Sequence, residues 1–156
     1  RPVREADRIY SILTRDLGLI RATALGVRKE SSKLRGNIEP VSLSSISLVR
    51  GKEYWRVTSA EFIKSVFPSP FIIRPLALLE KLIQGEVAHQ ELFDTVESAL
   101  DHTMIYHSED KRELFEIKLV AQILYHLGYL KENDLNLDKK ELIKVINEGI
   151  QASHLT

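Results

Sequence analysis

The sequence contains no cysteine among its 156 residues. This absence excludes disulfide bonds, thiolate zinc sites and a cysteine nucleophile. No apolar run approaches the roughly 20 residues of a membrane-spanning helix, and the chain does not open on the basic, apolar and small-residue pattern of a secretory signal. The composition therefore favours a protein of the reducing cytoplasm.

Short motifs of several enzyme classes are also missing. The chain has neither glycine pattern that cradles phosphates, GxGxxG or GxxxxGK followed by Ser or Thr. It has neither the GxSxG nucleophile elbow nor the HExxH zinc motif. We therefore expect no enzymatic activity, no metal site and no cofactor.

Charge is divided unevenly along a chain whose net charge is zero. Residues 1–60 contain twelve Lys/Arg and six Asp/Glu, a net charge of +6, whereas residues 61–156 contain ten and sixteen, a net charge of −6. Four cations fall within eight residues, opposed only by Glu30: Arg28, Lys29, Lys33 and Arg35. A concentrated basic surface most often binds nucleic acid, so the division suggests two surfaces with different partners.

Residues 1–58 have the pattern of a small antiparallel β domain. Polar and apolar residues alternate in four segments, which are separated by turns that contain glycine. These segments lie near residues 7–14, 19–25, 38–49 and 54–58. The alternation changes phase near Ser44 and Ser45, which is typical of a β-bulge. Short strands at this spacing predict a small barrel or sandwich.

Residues 59–156 have the pattern of an all-helical domain. Helical periodicity is found near residues 59–67, 75–84, 89–106, 109–127 and 139–153. We expect Ser59 to cap the first helix and Pro75 to lie in the first turn of the second. The sequence thus predicts an α+β chain with one domain over residues 1–58 and another over residues 59–156.

The basic stretch lies between two predicted strands, where side chains reach a ligand easily. Each phosphate that its cations neutralise releases counterions and adds affinity without sequence preference. Tyr54 or Trp55 is available to stack on bases. The competing interpretation is a solvated loop with Trp55 in the core. Further cations extend the proposed patch: Arg21, Arg50, Lys52 and Arg56.

Several short motifs occur in an order that adds to this interpretation. In chain order they read VREADRI (residues 3–9), TRDLG (14–18), LGVRK (25–29), SKL (32–34), IEPVS (38–42), AE (60–61), ELF (91–93) and LGY (127–129). In this order and spacing the chain resembles the bacterial DNA repair family RecO from residue 1 to about residue 130.

The resemblance implies an oligonucleotide/oligosaccharide-binding (OB) barrel followed by a helical domain. It also implies a non-enzymatic recombination mediator that binds single- and double-stranded DNA and anneals complementary strands. With its partner RecR, such a protein helps to load the recombinase RecA onto strands coated by single-strand-binding protein. It would work in the bacterial cytoplasm, associated with the nucleoid. Because Arg28, Lys29, Lys33 and Arg35 match the basic segment of the family's barrel, the resemblance implies that these residues contact DNA.

Two features separate this chain from many members of that family. Zinc-binding cysteines that often follow the LGY segment are missing, so the chain is similar to a compact, zinc-free member. Residues that precede the match in other members are also missing, which suggests a trimmed or partly ordered chain, or a barrel with a short edge. The helical half of the family receives the acidic tail of single-strand-binding protein, and Lys111, Arg112 and Lys118 would supply the basic part of that pocket.

Two other functions stay open on the sequence. One is a protein-interaction adaptor with an OB domain, whose charged halves bind a ring-forming partner or a basic protein. Clustering of the basic residues on one barrel face would favour nucleic acid, and scatter would favour the adaptor. The other is an RNA-binding OB-fold protein, which competition between DNA and RNA distinguishes because 2′-hydroxyl contacts favour RNA.

Overall fold

The computed structural model describes residues 5–65, 68–83, 85–102 and 108–153, in which a β-sheet is followed by helices. The strands are β1 (Arg8–Thr14), β2 (Gly18–Ala24), β3 (Ser42–Arg50) and β4 (Trp55–Ser65). The helices are α1 (Pro70–Leu82), α2 (Gln90–His102), α3 (Glu109–His126) and α4 (Lys139–Ala152), with a short 3-10 helix at Glu132–Asn136 before α4. The predicted α+β class, with strands first and helices second, is confirmed.

The strands form one mixed sheet in the order β1-β2-β4-β3. β1 pairs with β2 and β3 pairs with β4 in antiparallel fashion, whereas β2 and β4 run parallel, with Ala22 opposite Trp55. The predicted OB-type sheet is mixed rather than wholly antiparallel, and over the described residues it is not a closed barrel, because β1 and β3 form its two edges. The parallel pair arises because the chain crosses over between β2 and β4 instead of turning directly back.

β4 is longer than predicted and continues to Ser65. The helix expected over residues 59–67 is therefore wrong where the structure describes it. The long hairpin with β3, in which Ser44 lies opposite Phe62, supplies backbone hydrogen bonds that outweigh the local helix signal. The register of this hairpin shifts between Leu43 and Ser44, where the sequence predicted a bulge.

Apolar side chains form one cluster on the sheet and a larger one among the helices. Ile20, Ala22 and Ala24 of β2 alternate onto one face of the sheet, where they are buried with Val57. Leu19 points to the opposite face and packs against the helical cluster. β2 is thus buried along one face and packs on the helices at Leu19 on the other face, which fixes this end of the sheet against the helices.

The helices largely follow the predicted periodicity, with differences at their ends. α1 begins at Pro70, and Pro75 is buried inside the helix instead of lying in its first turn. The end predicted for the third helix, near residue 106, lies outside the described residues. The domain boundary predicted after residue 58 falls inside β4. None of the helices in the described ranges has the length and apolar character needed to cross a membrane.

Ion pairs hold α3 against its neighbours. Arg74 of α1 donates to both carboxylate oxygens of Glu116, at 2.7 and 2.5 Å. The hydrogen bond and the negative charge of Glu116 raise the pKa of Arg74 above its ordinary value. Lys139 of α4 lies 2.6 Å from the Glu113 carboxylate. Two glutamates of α3, Glu113 and Glu116, are thus paired with cations of the neighbouring helices.

Candidate nucleic-acid interface

Residues 25–41, which we call the basic connection, link β2 to β3 and cover one face of the sheet. Successive backbone hydrogen bonds fold this segment into turns, such as the bond from the Lys29 N–H to the Gly26 carbonyl at 2.9 Å. The segment is held by apolar side chains that are buried in the sheet cluster: Val27, Leu34 and Ile38. The basic connection is therefore a fixed scaffold rather than a free loop.

A buried carboxylate fixes the start of the basic connection. Asp7 is only 8% exposed, and its Oδ1 accepts a hydrogen bond from the Gly26 N–H at 2.7 Å. The Arg28 N–H donates to the Ala6 carbonyl at 3.1 Å, and its guanidinium donates to the Glu5 carbonyl at 3.0 Å. The role of Asp7 was missed from the sequence, where its only signal was a place in the first matching motif.

Four predicted cations lie on the outer surface of the basic connection, and all are exposed: Arg28, Lys29, Lys33 and Arg35. Across the described part of the chain, none of the four forms an ion pair with a carboxylate. Their counterions come from solvent and exchange readily for phosphate groups. The structure thus presents four exposed cations within eight residues on one anchored segment.

Arg21 and Arg56 lie on the other face of the sheet. The parallel register places Thr23 opposite Arg56, so Arg21 and Arg56 are diagonal neighbours on one face. Both side chains are exposed, and their face is opposite to that of buried Ala22. These two cations are therefore separated by the sheet from the basic connection.

Arg50 and Lys52 lie at a third place, the end of the sheet where β3 stops and β4 begins. Lys52 is exposed in the turn, whereas Arg50 forms an ion pair with Glu86. The indole of Trp55 is half-buried against the sheet cluster, and its Nε1 donates to Glu86 at 3.0 Å. Trp55 is thus a core residue with a hydrogen-bonded edge rather than an open platform for bases.

The three helical cations proposed for partner binding lie on α3, where all are exposed: Lys111, Arg112 and Lys118. A groove of about 440 Å³ lies between α2 and α3, and none of the three cations lines it. Its lining includes Asp94, Ser98, His102, Phe115, Leu119 and Gln122. The predicted basic pocket for an acidic peptide stays a prediction.

Ion pairs between the sheet and the helices were not predictable as individual contacts. Arg15 lies 3.1 Å from Asp94, and Lys64 lies 2.6 Å from Asp101. These partners are 79 and 37 residues apart in sequence. The opposite net charges of the two halves were the only sequence feature that indicated contacts of this kind. Part of the charge division is thus satisfied within the chain, whereas the four cations of the basic connection form no ion pair among the described residues.

The arrangement offers hydrogen-bond donors and positive charge. Guanidinium and ammonium groups bind phosphate oxygens through charge-assisted hydrogen bonds, which fix a nucleic-acid backbone without reading its sequence. Throughout the described ranges, no three His, Asp or Glu side chains are arranged to hold a metal ion. The exposed guanidinium and ammonium groups of the basic connection are suited to bind anions.

Comparison with known proteins relates the chain to recombination proteins. Residues 1–66 match the family described as Recombination protein O N terminal. The DNA repair protein RecO of Heliobacterium modesticaldum is 30% identical over 151 residues, which cover 93% of this chain and 54% of that protein. RecO of a Synechococcus species is 34% identical over 145 residues, which cover 81% of this chain and 48% of that protein. RecO of Dehalococcoides mccartyi is 51% identical over 61 residues, which cover 39% of this chain and 24% of that protein.

The extent of these matches agrees with the architecture. The family match covers the sheet, and the two longer alignments extend over most of the helices as well. A mixed sheet followed by helices is consistent with an OB-type N-terminal domain and a helical domain. The chain spans about half the length, or less, of these curated relatives.

Proposed function

Since the chain belongs to the RecO family of DNA repair proteins, about half of whose length it spans, we propose that it is the DNA-binding part of a recombination mediator. Its proposed activity is to bind single- and double-stranded DNA and to anneal complementary strands. It does so without catalysing a chemical reaction, in the cytoplasm of a bacterium and in association with the nucleoid.

The observation that carries this proposal is the set of four exposed cations on the basic connection, which lack acidic partners among the described residues. Buried side chains and Asp7 hold the segment in place, so little conformational entropy is lost when phosphates bind. Arg21 and Arg56 lie on the opposite face of the sheet, so the eight predicted cations do not cluster on one face, and the proposal rests on the basic connection alone. Backbone contacts of this kind give affinity for any DNA sequence.

Electrostatics accounts for annealing in this proposal. Two complementary strands repel each other because each carries one negative charge per nucleotide, and a local cluster of cations screens that repulsion. Contacts made to phosphates leave the Watson–Crick edges of the bases free to pair. The protein then acts by concentrating strands, with base pairing itself supplying the specificity.

The proposal extends to the partners of the family. RecR and single-strand-binding protein would bind directly, and RecA would be recruited indirectly. The exposed cations of α3 support a docking surface for an acidic peptide: Lys111, Arg112 and Lys118. Binding of the acidic tail would then place the basic connection beside DNA that the single-strand-binding protein covers.

Annealing of two complementary oligonucleotides tests the proposed activity. We expect the chain to accelerate quenching between a fluorophore on one strand and a quencher on the other, without any nucleotide cofactor. The acceleration should weaken as salt rises, since screening reduces phosphate contacts. Serum albumin at equal concentration is the control, and annealing no faster than with albumin would refute the mediator proposal.

Competition in the same assay separates the other functions. Stronger inhibition by an RNA of identical sequence than by the unlabelled DNA would indicate an RNA-binding protein, because only RNA offers 2′-hydroxyl contacts. A chain that binds neither nucleic acid would instead favour the adaptor. We expect the DNA oligonucleotide to compete at least as well as the RNA.

A further inference from the structure

One predicted DNA-binding cation already holds an anion that belongs to the chain itself. Glu86, in the segment between α1 and α2, places one carboxylate oxygen 3.0 Å from the indole Nε1 of Trp55. Its other oxygen is paired with the Arg50 guanidinium. That guanidinium lies over the indole, 4.9 Å from the ring centroid. Two donors from the end of the sheet thus converge on a single carboxylate.

The segment that carries Glu86 packs closely on the sheet. β2 and β4 run parallel, so both begin at the sheet end where β3 stops. Gly18, the first residue of β2, is so close to Val87 that a Cβ at position 18 would lie 2.0 Å from the Val87 carbonyl oxygen. Glu86 is therefore held at this sheet end by its neighbour as well as by its own contacts.

The contacts of Glu86 are suited to exchange. The Arg50 side chain is 60% exposed and that of Glu86 is 39% exposed, so water and ions reach both. An ion pair of this exposure contributes little to folding stability and is weakened by salt. A phosphodiester carries the same single charge and the same kind of acceptor oxygens as a carboxylate, so it satisfies the same two donors.

We propose that Arg50 and the indole N–H of Trp55 form a phosphate-binding subsite for single-stranded DNA, and that Glu86 occupies it as an internal competitor. This inference rests on the proposed function and names a regulation of the same surface. A backbone phosphate displaces the Glu86 carboxylate and takes its two hydrogen bonds. Binding there also frees the Glu86 side chain from Arg50 and Trp55, which couples DNA binding to the segment between α1 and α2.

Replacement of the competitor tests the inference. In Glu86→Gln the shape is kept but the charge is lost, and Arg50 becomes free to bind a phosphate. We expect affinity for an oligothymidylate to rise about fivefold at roughly 0.1 M salt, because one further single-strand contact steepens the log–log salt dependence by about 0.7. Trp55, the single tryptophan of the chain, reports on the subsite directly, and its emission should change when the oligonucleotide binds.

Two comparisons make the result specific. Glu53→Gln removes an equal charge from an exposed residue of the neighbouring turn, and we expect it to leave affinity within twofold of wild type. In an Arg50→Ala background the gain from Glu86→Gln should vanish, since the freed donor is absent. An equal gain from Glu53→Gln, or a full gain in the Arg50→Ala background, would overturn the inference.

The outcomes also separate this inference from the proposed function. If the wild type binds DNA and Glu86→Gln binds no more tightly, the internal competitor is refuted and the DNA-binding function stands. Unchanged Trp55 emission in a saturated complex would likewise refute the internal competitor and leave the DNA-binding function standing. If neither protein binds DNA, the proposed function fails together with the inference.

Discussion

Simultaneous replacement of the four cations on the basic connection should abolish most of the affinity for single-stranded DNA. We expect a variant with Ala at Arg28, Lys29, Lys33 and Arg35 to flatten the log–log salt dependence by about 3, at roughly 0.7 for each lost phosphate contact. At roughly 0.1 M salt this corresponds to an affinity loss on the order of 10³-fold. Titration of a labelled oligothymidylate over a salt series measures both quantities.

The same number of charges removed elsewhere provides the matched control. Four exposed helical cations serve for this purpose: Lys111, Lys118, Lys140 and Lys144. Their replacement by Ala changes the net charge equally, and we expect it to leave the slope nearly unchanged. Because all eight side chains are exposed, both variants should melt close to the wild-type temperature. Equal flattening in the two variants would show that net charge, and not the basic connection, governs binding.

Gly18→Ala should strongly destabilise the fold. Gly18 has φ of 74°, which L residues adopt at a cost, and an added Cβ would lie 2.0 Å from the Val87 carbonyl oxygen. The backbone of Val87 cannot move away without shifting the segment between α1 and α2 off the sheet. We expect a loss of at least about 3 kcal/mol in the free energy of unfolding, measured by denaturant titration.

Substitution of a second glycine distinguishes the cost of backbone strain from the cost of a steric clash. Gly36 has φ of 78°, but a Cβ added there meets nothing within 4 Å. Gly36→Ala should therefore lose only the cost of a left-handed backbone, about 1 kcal/mol. If the two variants lose equal stability, the close approach of Val87 to β2 is not present in solution.

Local patterns account for most of the elements that were predicted correctly. Alternation in β1 and β2 with a turn ending at Gly18, and the spacing of apolar residues along α3, are signals contained within a few residues. β4 shows where such signals fail. Residues 59–65 have a possible helix cap at Ser59, yet they extend strand β4. They do so because β3 runs beside them and supplies backbone hydrogen-bonding partners.

Nonlocal pairing also explains the errors in the sheet and at the candidate site. The parallel contact of β2 with β4 depends on how residues 25–54 cross the sheet, which no short segment specifies. The basic connection was recognisable because its cations adjoin in sequence. The role of Glu86 was not recognisable, because its contact with Arg50 joins residues 36 positions apart and no short sequence pattern indicates it.

Lysine footprinting tests the central claim most directly, since it reports where DNA lies on the folded protein. Acetylation of the wild type would be compared by mass spectrometry with and without saturating oligothymidylate. The account predicts protection of Lys29 and Lys33, with unchanged reactivity of Lys140 and Lys144, which are also exposed and lie on α4. Unchanged acetylation of Lys29 and Lys33 in the saturated complex would contradict the assignment of the DNA site to the basic connection.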